Sequence, residues 1–174
     1  MANAFTYQVI KDTTEHAVIK ITGSFDGTSG QENNVSRIAA NTLYGALNAN
    51  AVPGLLTSGG SPLPYYGLAI NRLWYDTATD GAVELFWSAN TNATIFHLNG
   101  NLEYDANGNW ITIPNNARGT ANCRGDIGIA TKGMVANSSY TIIFELRKDN
   151  AHYQRGQFND PGAFNYNPPY GITP

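Results

Sequence analysis

Apolar and polar positions along this chain alternate in short runs, and the runs predict strands. Tyr7–Lys11 and Ala17–Thr22 (AVIKIT) alternate or are β-branched, with the polar break DTTE between them. Leu68–Tyr75 (LAINRLWY) and Val83–Ser88 (VELFWS) flank the turn signal at Thr79–Gly81 and predict a hairpin. Ala93–Leu98 (ATIFHL) ends at the turn dipeptide Asn99-Gly100. Leu102–Tyr104 and Trp110–Ile113 flank DANGN and predict a second hairpin. Asp126–Thr131 (DIGIAT) and Tyr140–Arg147 (YTIIFELR) complete the set. Residues 37–51 are ambiguous: Ile38, Leu43 and Leu47 are spaced for a helix, but Gly45 and the asparagines favour strand and turn. About nine short strands with turn chemistry between them predict an all-β fold, an antiparallel β-sandwich or jelly roll. No strand–helix alternation supports a parallel sheet. Trp74, Trp87 and Trp110 fall on predicted strands and are expected to fill the core or the ends of the sandwich.

Two stretches break this pattern. From Ile38 to Asn71, a run of 34 residues, there is no Asp, Glu, Lys, Arg or His. Its middle, NAVPGLLTSGGSPLPYYG, reads as loop by its Pro and Gly content, yet carries Leu55, Leu56, Leu63, Tyr65 and Tyr66. Long loops in compact domains are usually functional or disordered, and an apolar uncharged one in water is a patch that calls for a cover. It either closes one open end of the sandwich or contacts a partner.

The second stretch is residues 149–174. It holds five aromatics (Tyr153, Phe158, Phe164, Tyr166 and Tyr170) and four prolines, with Ile172 its only branched aliphatic. Such a segment has no periodic aliphatics with which to build a core. Aromatics are nonetheless enriched at interface cores, and proline-rich backbone loses less entropy on docking. The expected organisation is therefore a β-sandwich over 1–148 and an extended arm over 149–174. The arm either folds back on its own domain or, as favoured here, docks on another molecule.

Composition narrows the function classes. Charged residues are 13% of the chain and the net charge is −3. No basic cluster is present to neutralise phosphates, so nucleic acid is not an expected partner. A surface of Asn, Thr, Ser and Gly suits packing into a larger assembly, and it equally suits carbohydrate contact. Cys123 is the only cysteine, so no internal disulfide is available. The first twelve residues have neither a basic start nor an apolar run, and no stretch reaches transmembrane length. Folding in a cytoplasm, with no membrane partner, is the expectation.

Catalytic chemistry is not signalled. His16, His97 and His152 lack metal-ligand spacing, and no metal or cofactor is expected. Cys123 with His97 would be a nucleophile and base without a local signature. Glu84 and Glu103 alternate with apolar neighbours, as on the solvated face of a strand, although jelly rolls can host acidic pairs of the glycosidase kind. Asp105, Asn107 and Asn109 imitate a calcium loop but lack its glycine position and bidentate Glu. Arg124–Asp126 spells RGD, which has no force without secretion.

Three segments carry a resemblance. They are VIKDTTEHAVIKITGSFDG (Val9–Gly27), LWYDTATDGAVELFWSANTNATIFHLNG (Leu73–Gly100) and CRGDIGIATKGMVANSSYTIIFELRKD (Cys123–Asp149). Together they resemble small virion structural proteins of tailed bacteriophages of the cyanophage and marine phage type. The match rests on the lysine-aspartate turn with its valine-isoleucine strand and on the tryptophan strands. It also rests on the run from Asp126-Ile127 through Thr131-Lys132-Gly133 to Leu146-Arg147-Lys148. The resemblance implies a non-enzymatic virion component assembled in the bacterial host cytoplasm, most concretely a capsid decoration (cement) protein. It implies a homo-oligomer, with a trimer favoured, and the major capsid protein or another virion protein as partner. A neck or tail component is the alternative in the same class, and a carbohydrate-binding module for host attachment is the one outside it. The chain departs from the resemblance at residues 50–66 and in its tail. On this reading the partner-binding residues are Tyr153, Phe158, Phe164, Tyr166, Tyr170, Leu55, Leu56, Leu63, Tyr65 and Tyr66.

Overall fold

The structure is a computed structural model and describes residues 3–47, 54–56, 62–106, 112–149 and 151–153, the backbone alone at 54–56 and 62–64. Twelve strands appear among them. In chain order they are β1 (Ala4–Asp12), β2 (His16–Ser24), β3 (Val35–Ile38), β4 (Gly54–Leu56), β5 (Pro62–Pro64), β6 (Leu68–Thr77), β7 (Ala82–Trp87), β8 (Ala93–Leu98), β9 (Asn101–Asp105), β10 (Ile113–Pro114), β11 (Ile127–Lys132) and β12 (Ser139–Lys148). All pairs are antiparallel. One sheet runs β1-β2-β12-β6, with β9 and β10 both on the far edge of β6; the other runs β3-β11-β7-β8. The fold is a β-sandwich of six strands against four.

Strand alternation sets the core. β12 presents Tyr140, Ile142, Phe144 and Leu146 inward, and β2 presents Ala17, Ile19 and Ile21 beside them. The smaller sheet answers with Ile127, Ile129, Val83, Leu85 and Trp87. On the outer side of that sheet the Phe86 ring lies over Gly128, where any Cβ would come within 2.2 Å of it. β12 sits centrally, paired with β2 on one side and β6 on the other, so both its edges are covered.

The pairings differ from the expected hairpins. Leu68–Tyr75 and Val83–Ser88 do not pair, because β6 belongs to the larger sheet and β7 to the smaller. The turn at Thr79–Gly81 therefore crosses between sheets, and so does Asn99-Gly100 between β8 and β9. β9 and β10 do not pair with each other either. Asp105 stands opposite Arg72 and Ile113 opposite Ile70, so the two lie end to end along β6. A turn dipeptide reverses the chain; it does not choose which strand supplies the next ladder.

Three strands went unread in the sequence: β3, β4 and β5. Within the loop-like stretch, β4 and β5 form a short ladder with Leu55 opposite Leu63. Of the ambiguous stretch 37–51, the described residues 37–47 make neither a helix nor a continuous strand. Ile38 ends β3, Ala40–Thr42 make one 3-10 turn, and Gly45 turns at φ +77, a conformation costly for residues with a Cβ.

Candidate functional site

The end of the sandwich beyond β12 is built around Lys148. Alternation points this residue inward after Leu146, and its side chain is fully buried. An ammonium carries three N–H donors, and each one needs an acceptor out of water. Here Nζ donates to the Asp12 carboxylate, to the Thr13 carbonyl at 2.6 Å and to the Tyr44 carbonyl at 2.8 Å. Burial pushes the Lys148 ammonium down, and Asp12 pulls it back up. The Tyr153 ring lies 5.1 Å from Nζ.

A turn at Asp149 brings this ring into place. The Asp149 carbonyl accepts from the backbone of His152 at 3.0 Å and of Tyr153 at 3.2 Å, and its carboxylate accepts from Ala151 N at 2.9 Å. Tyr153 then bridges to Ala46, and its hydroxyl donates to the Ala40 carbonyl at 2.8 Å. Tyr66 packs at 5.9 Å from the Tyr153 ring and donates to the Leu47 carbonyl at 2.8 Å. The His152 ring meets Tyr65 edge-on at 5.3 Å. Arg124–Asp126 belongs to the same assembly. The Asp126 carboxylate accepts from Ala40 N at 2.8 Å, and Gly125 lies so close to the Tyr66 carbonyl that a Cβ would fall 1.9 Å from it. The RGD triplet is thus tied into the fold at Gly125 and Asp126, with Arg124 exposed.

These positions correct three of the expected contact residues. Tyr65, Tyr66 and Tyr153 are core residues, 3%, 4% and 1% exposed, and present no face to a partner in this conformation. The packed domain also runs past the boundary drawn at 148/149, since residues 151–153 help to close it. Aromatic content alone did not distinguish a docking group from a plug, because the acceptors at Ala40 and Leu47 are distant in sequence. Phe158, Phe164, Tyr166 and Tyr170 lie outside the described residues, as do Trp110 and the side chains of Leu55, Leu56 and Leu63.

Elsewhere the chemistry-bearing residues are dispersed. Glu84 is on β7 of the smaller sheet, bonded by Thr94 Oγ1 at 2.6 Å, and Glu103 is on β9 of the larger. Cys123 is buried beside Asn115, and burial pushes its thiol up, away from the nucleophilic thiolate. His97 is exposed on β8. Burial also pushes Tyr65 up to about 12 and Tyr153 upward. Among the described residues no group of three His, Cys, Asp or Glu side chains could hold a metal, and no helix is long and apolar enough to cross a membrane.

Three surface features remain. A cleft of about 670 Å³ is lined by Glu15, His16, Tyr65, Asn71, Arg118 and Asp149 among others, a mixed-charge wall. A shallow hollow of about 340 Å³ at the β6–β9 margin of the larger sheet is lined by Trp74, Tyr75, Leu102 and Ile143, with Asp76, Asn101 and Glu103 at its rim. Along β1, Tyr7 is 40%, Val9 45% and Ile10 53% exposed. The segment was read as a strand, but its place at the sheet edge depends on pairings that no local pattern encodes.

No family model matches this chain, and the searches of curated proteins and of solved structures find no match either.

Proposed function

We propose that this chain is a non-enzymatic structural protein of a tailed-phage virion, a capsid decoration (cement) protein that stabilises the assembled head. The observation that carries the reading is the apolar margin of the larger sheet, where Tyr7, Val9 and Ile10 stand in water on an edge strand. Edge strands invite pairing with other chains, and apolar patches mark contacts. Leu55, Leu56 and Leu63 of the uncharged run and the aromatics Phe158, Phe164, Tyr166 and Tyr170 supply further contact material. The segments that resemble phage virion proteins provide the biological setting. The mechanism is thermodynamic: a protein that binds only the assembled shell stabilises that shell by mass action. A homo-oligomer, with a trimer favoured, adds avidity.

A neck or tail component would use the same surfaces in a ring around the particle axis. Carbohydrate binding has a claim through the Trp74 hollow with its polar rim. A sugar platform needs two or three coplanar aromatics, however, and the hollow's two aromatics, Trp74 and Tyr75, are neighbours on β6 that point to opposite faces of the sheet.

The test is to add purified protein to assembled heads that lack it, and separately to unassembled capsid subunits. The expected result is saturable binding to heads alone and a higher temperature for genome release. Binding to neither, together with retention on immobilised host glycans that Trp74→Ala abolishes, would overturn the reading.

A further inference from the structure

Six strands packed on four leave both margins of the larger sheet partly uncovered: Leu102 of β9 is 66% exposed at one, and β1 carries the longer apolar strip at the other. Tyr7 and Val9 stand opposite Ile21 and Ile19, which are wholly buried, so both point to the core side. The smaller sheet does not reach over them. The Arg37 guanidinium covers only Phe5, at 3.7 Å from its ring. A register shift between Val9 and Lys11 leaves Ile10 as an extra residue at the margin. Among the described residues nothing pairs with the outer edge of β1, so backbone donors and acceptors along a nine-residue strand face outward.

The chain leaves the described fold at the Asp12 end of this same strand. Tyr153 lies over Lys148, whose ammonium holds Asp12, and Tyr44 N donates to the other Asp12 oxygen at 2.8 Å. Residues 154–174 follow. Within them GAFNYN, Gly162–Asn167, stands between Pro161 and Pro168. Phe164 and Tyr166 recur at period two, which places both rings on one face of an extended strand. Proline has no N–H to give to a ladder, so the flanking prolines would end such a strand at both sides.

We propose that residues 162–167 add to β1 as an antiparallel strand, with Phe164 and Tyr166 beside Tyr7 and Val9. The linker is long enough: the eight residues 154–161 span up to about 28 Å, and the nine residues of β1 extend about 30 Å. A segment that starts at the Asp12 end and runs back along β1 is antiparallel to it, the sense of all the pairs described here. Cross-strand aromatic and β-branched pairs are the favourable neighbours on a sheet face. The strand satisfies the outward backbone groups and shields the flank of the Tyr7–Val9 strip. The inference bears on the same margin as the virion reading and specifies what covers it. If a neighbouring copy supplies the strand, β1 is the subunit contact of the oligomer; if the chain supplies its own, Phe158 and Tyr170 remain for other partners.

Hydrogen exchange read by mass spectrometry on the full chain tests this. The comparison is with a chain ending at Tyr153 and with Asn165→Pro, which removes a strand N–H while keeping both rings. Circular dichroism and melting establish that each variant is folded. The expected result is that β1 amides exchange at least about tenfold faster in both variants, while β12 amides do not change. Protection that grows with protein concentration identifies a neighbour's segment, and protection independent of it identifies the chain's own; either supports the proposal. Exchange of β1 unchanged by truncation and by Asn165→Pro overturns it, whether the edge is then open or covered by the β1 of a second copy.

Discussion

Tyr153 and Tyr7 are the same residue in opposite situations. Tyr153 is sealed at one end of the sandwich, its hydroxyl bonded to Ala40 and its ring above a buried ammonium. Tyr7 stands on the core side of a strand with no sheet opposite it and is 40% exposed. The difference lies in the partner surface and not in the residue. The knot around Lys148 gathers β1, β12 and residues 40–47, so the Lys148 ammonium and the Tyr66 and Tyr153 hydroxyls all find acceptors there. The margin along β1 has a strand's backbone and an apolar strip, and its answer must come from outside the described fold.

The knot should give the largest effects. Lys148→Met leaves the Asp12 carboxylate without its cation and the Thr13 and Tyr44 carbonyls without the Nζ donor, and removing one partner of a buried pair costs about 3–5 kcal/mol. Tyr153→Ala removes a buried ring and a hydrogen bond, for about 3–5 kcal/mol. Chemical denaturation checks both. Tyr7→Ser should cost under about 1 kcal/mol in the same experiment, because large losses require a buried group. Equal losses at Tyr7 and Tyr153 would erase the contrast between the two regions.

Truncation sharpens the same contrast. A chain ending at Asp149 loses His152 and Tyr153 and should melt far below the full protein. A chain ending at Tyr153 keeps the knot and should stay folded. Comparable melting of the two truncated chains would mean that residues 151–153 do not hold the end of the sandwich.

Most strands were legible because alternation is local: β2, β6, β8 and β12 appear nearly where the pattern placed them. Pairing was not legible, since the turn at Thr79–Gly81 reads alike whether its strands pair or part between sheets. β3, with four residues in an asparagine-rich context, carried too little pattern to read. The plug at Tyr65, Tyr66 and Tyr153 was mistaken for contact surface because uncharged aromatic segments suit either role. One signal was present: continuing the inward alternation of β12 through Tyr140, Ile142, Phe144 and Leu146 arrives at Lys148, and a lysine on a core face demands a carboxylate.

A smaller effect is expected at the margin itself. Val9→Lys places a charge on the edge strip, a device that blunts strand-to-strand association. If the protein is the homo-oligomer proposed above, sedimentation velocity at micromolar concentration should show Val9→Lys shifted toward monomer relative to the wild type, with melting little changed. A wild-type protein that is monomeric at high concentration would remove β1 from the candidate subunit contacts.

The smallest effect expected is a pH dependence that belongs to the knot and not to the margin. Burial holds the His152 imidazole below its ordinary 6.5, against the pull of Asp149 and with Arg118 adding to the depression. In the unfolded chain the same imidazole binds a proton at its ordinary value. As pH falls through that value, the unfolded state takes up a proton that the folded state refuses, so stability drops until the folded pKa is reached. Asp126 acts in the opposite sense and lower on the scale. Its carboxyl is raised above 3.8 by burial, so the folded state takes up its proton first and gains stability as pH falls through that window. Denaturant titrations of the wild type and His152→Phe isolate the histidine, because the ring edge against Tyr65 is kept while the titrating nitrogens are lost. The wild type should lose stability on acidification from neutral pH, and the variant should lose less. Parallel curves would mean that the His152 ring is reached by water and that this end of the sandwich is looser than the packing of Tyr65 and Tyr153 implies.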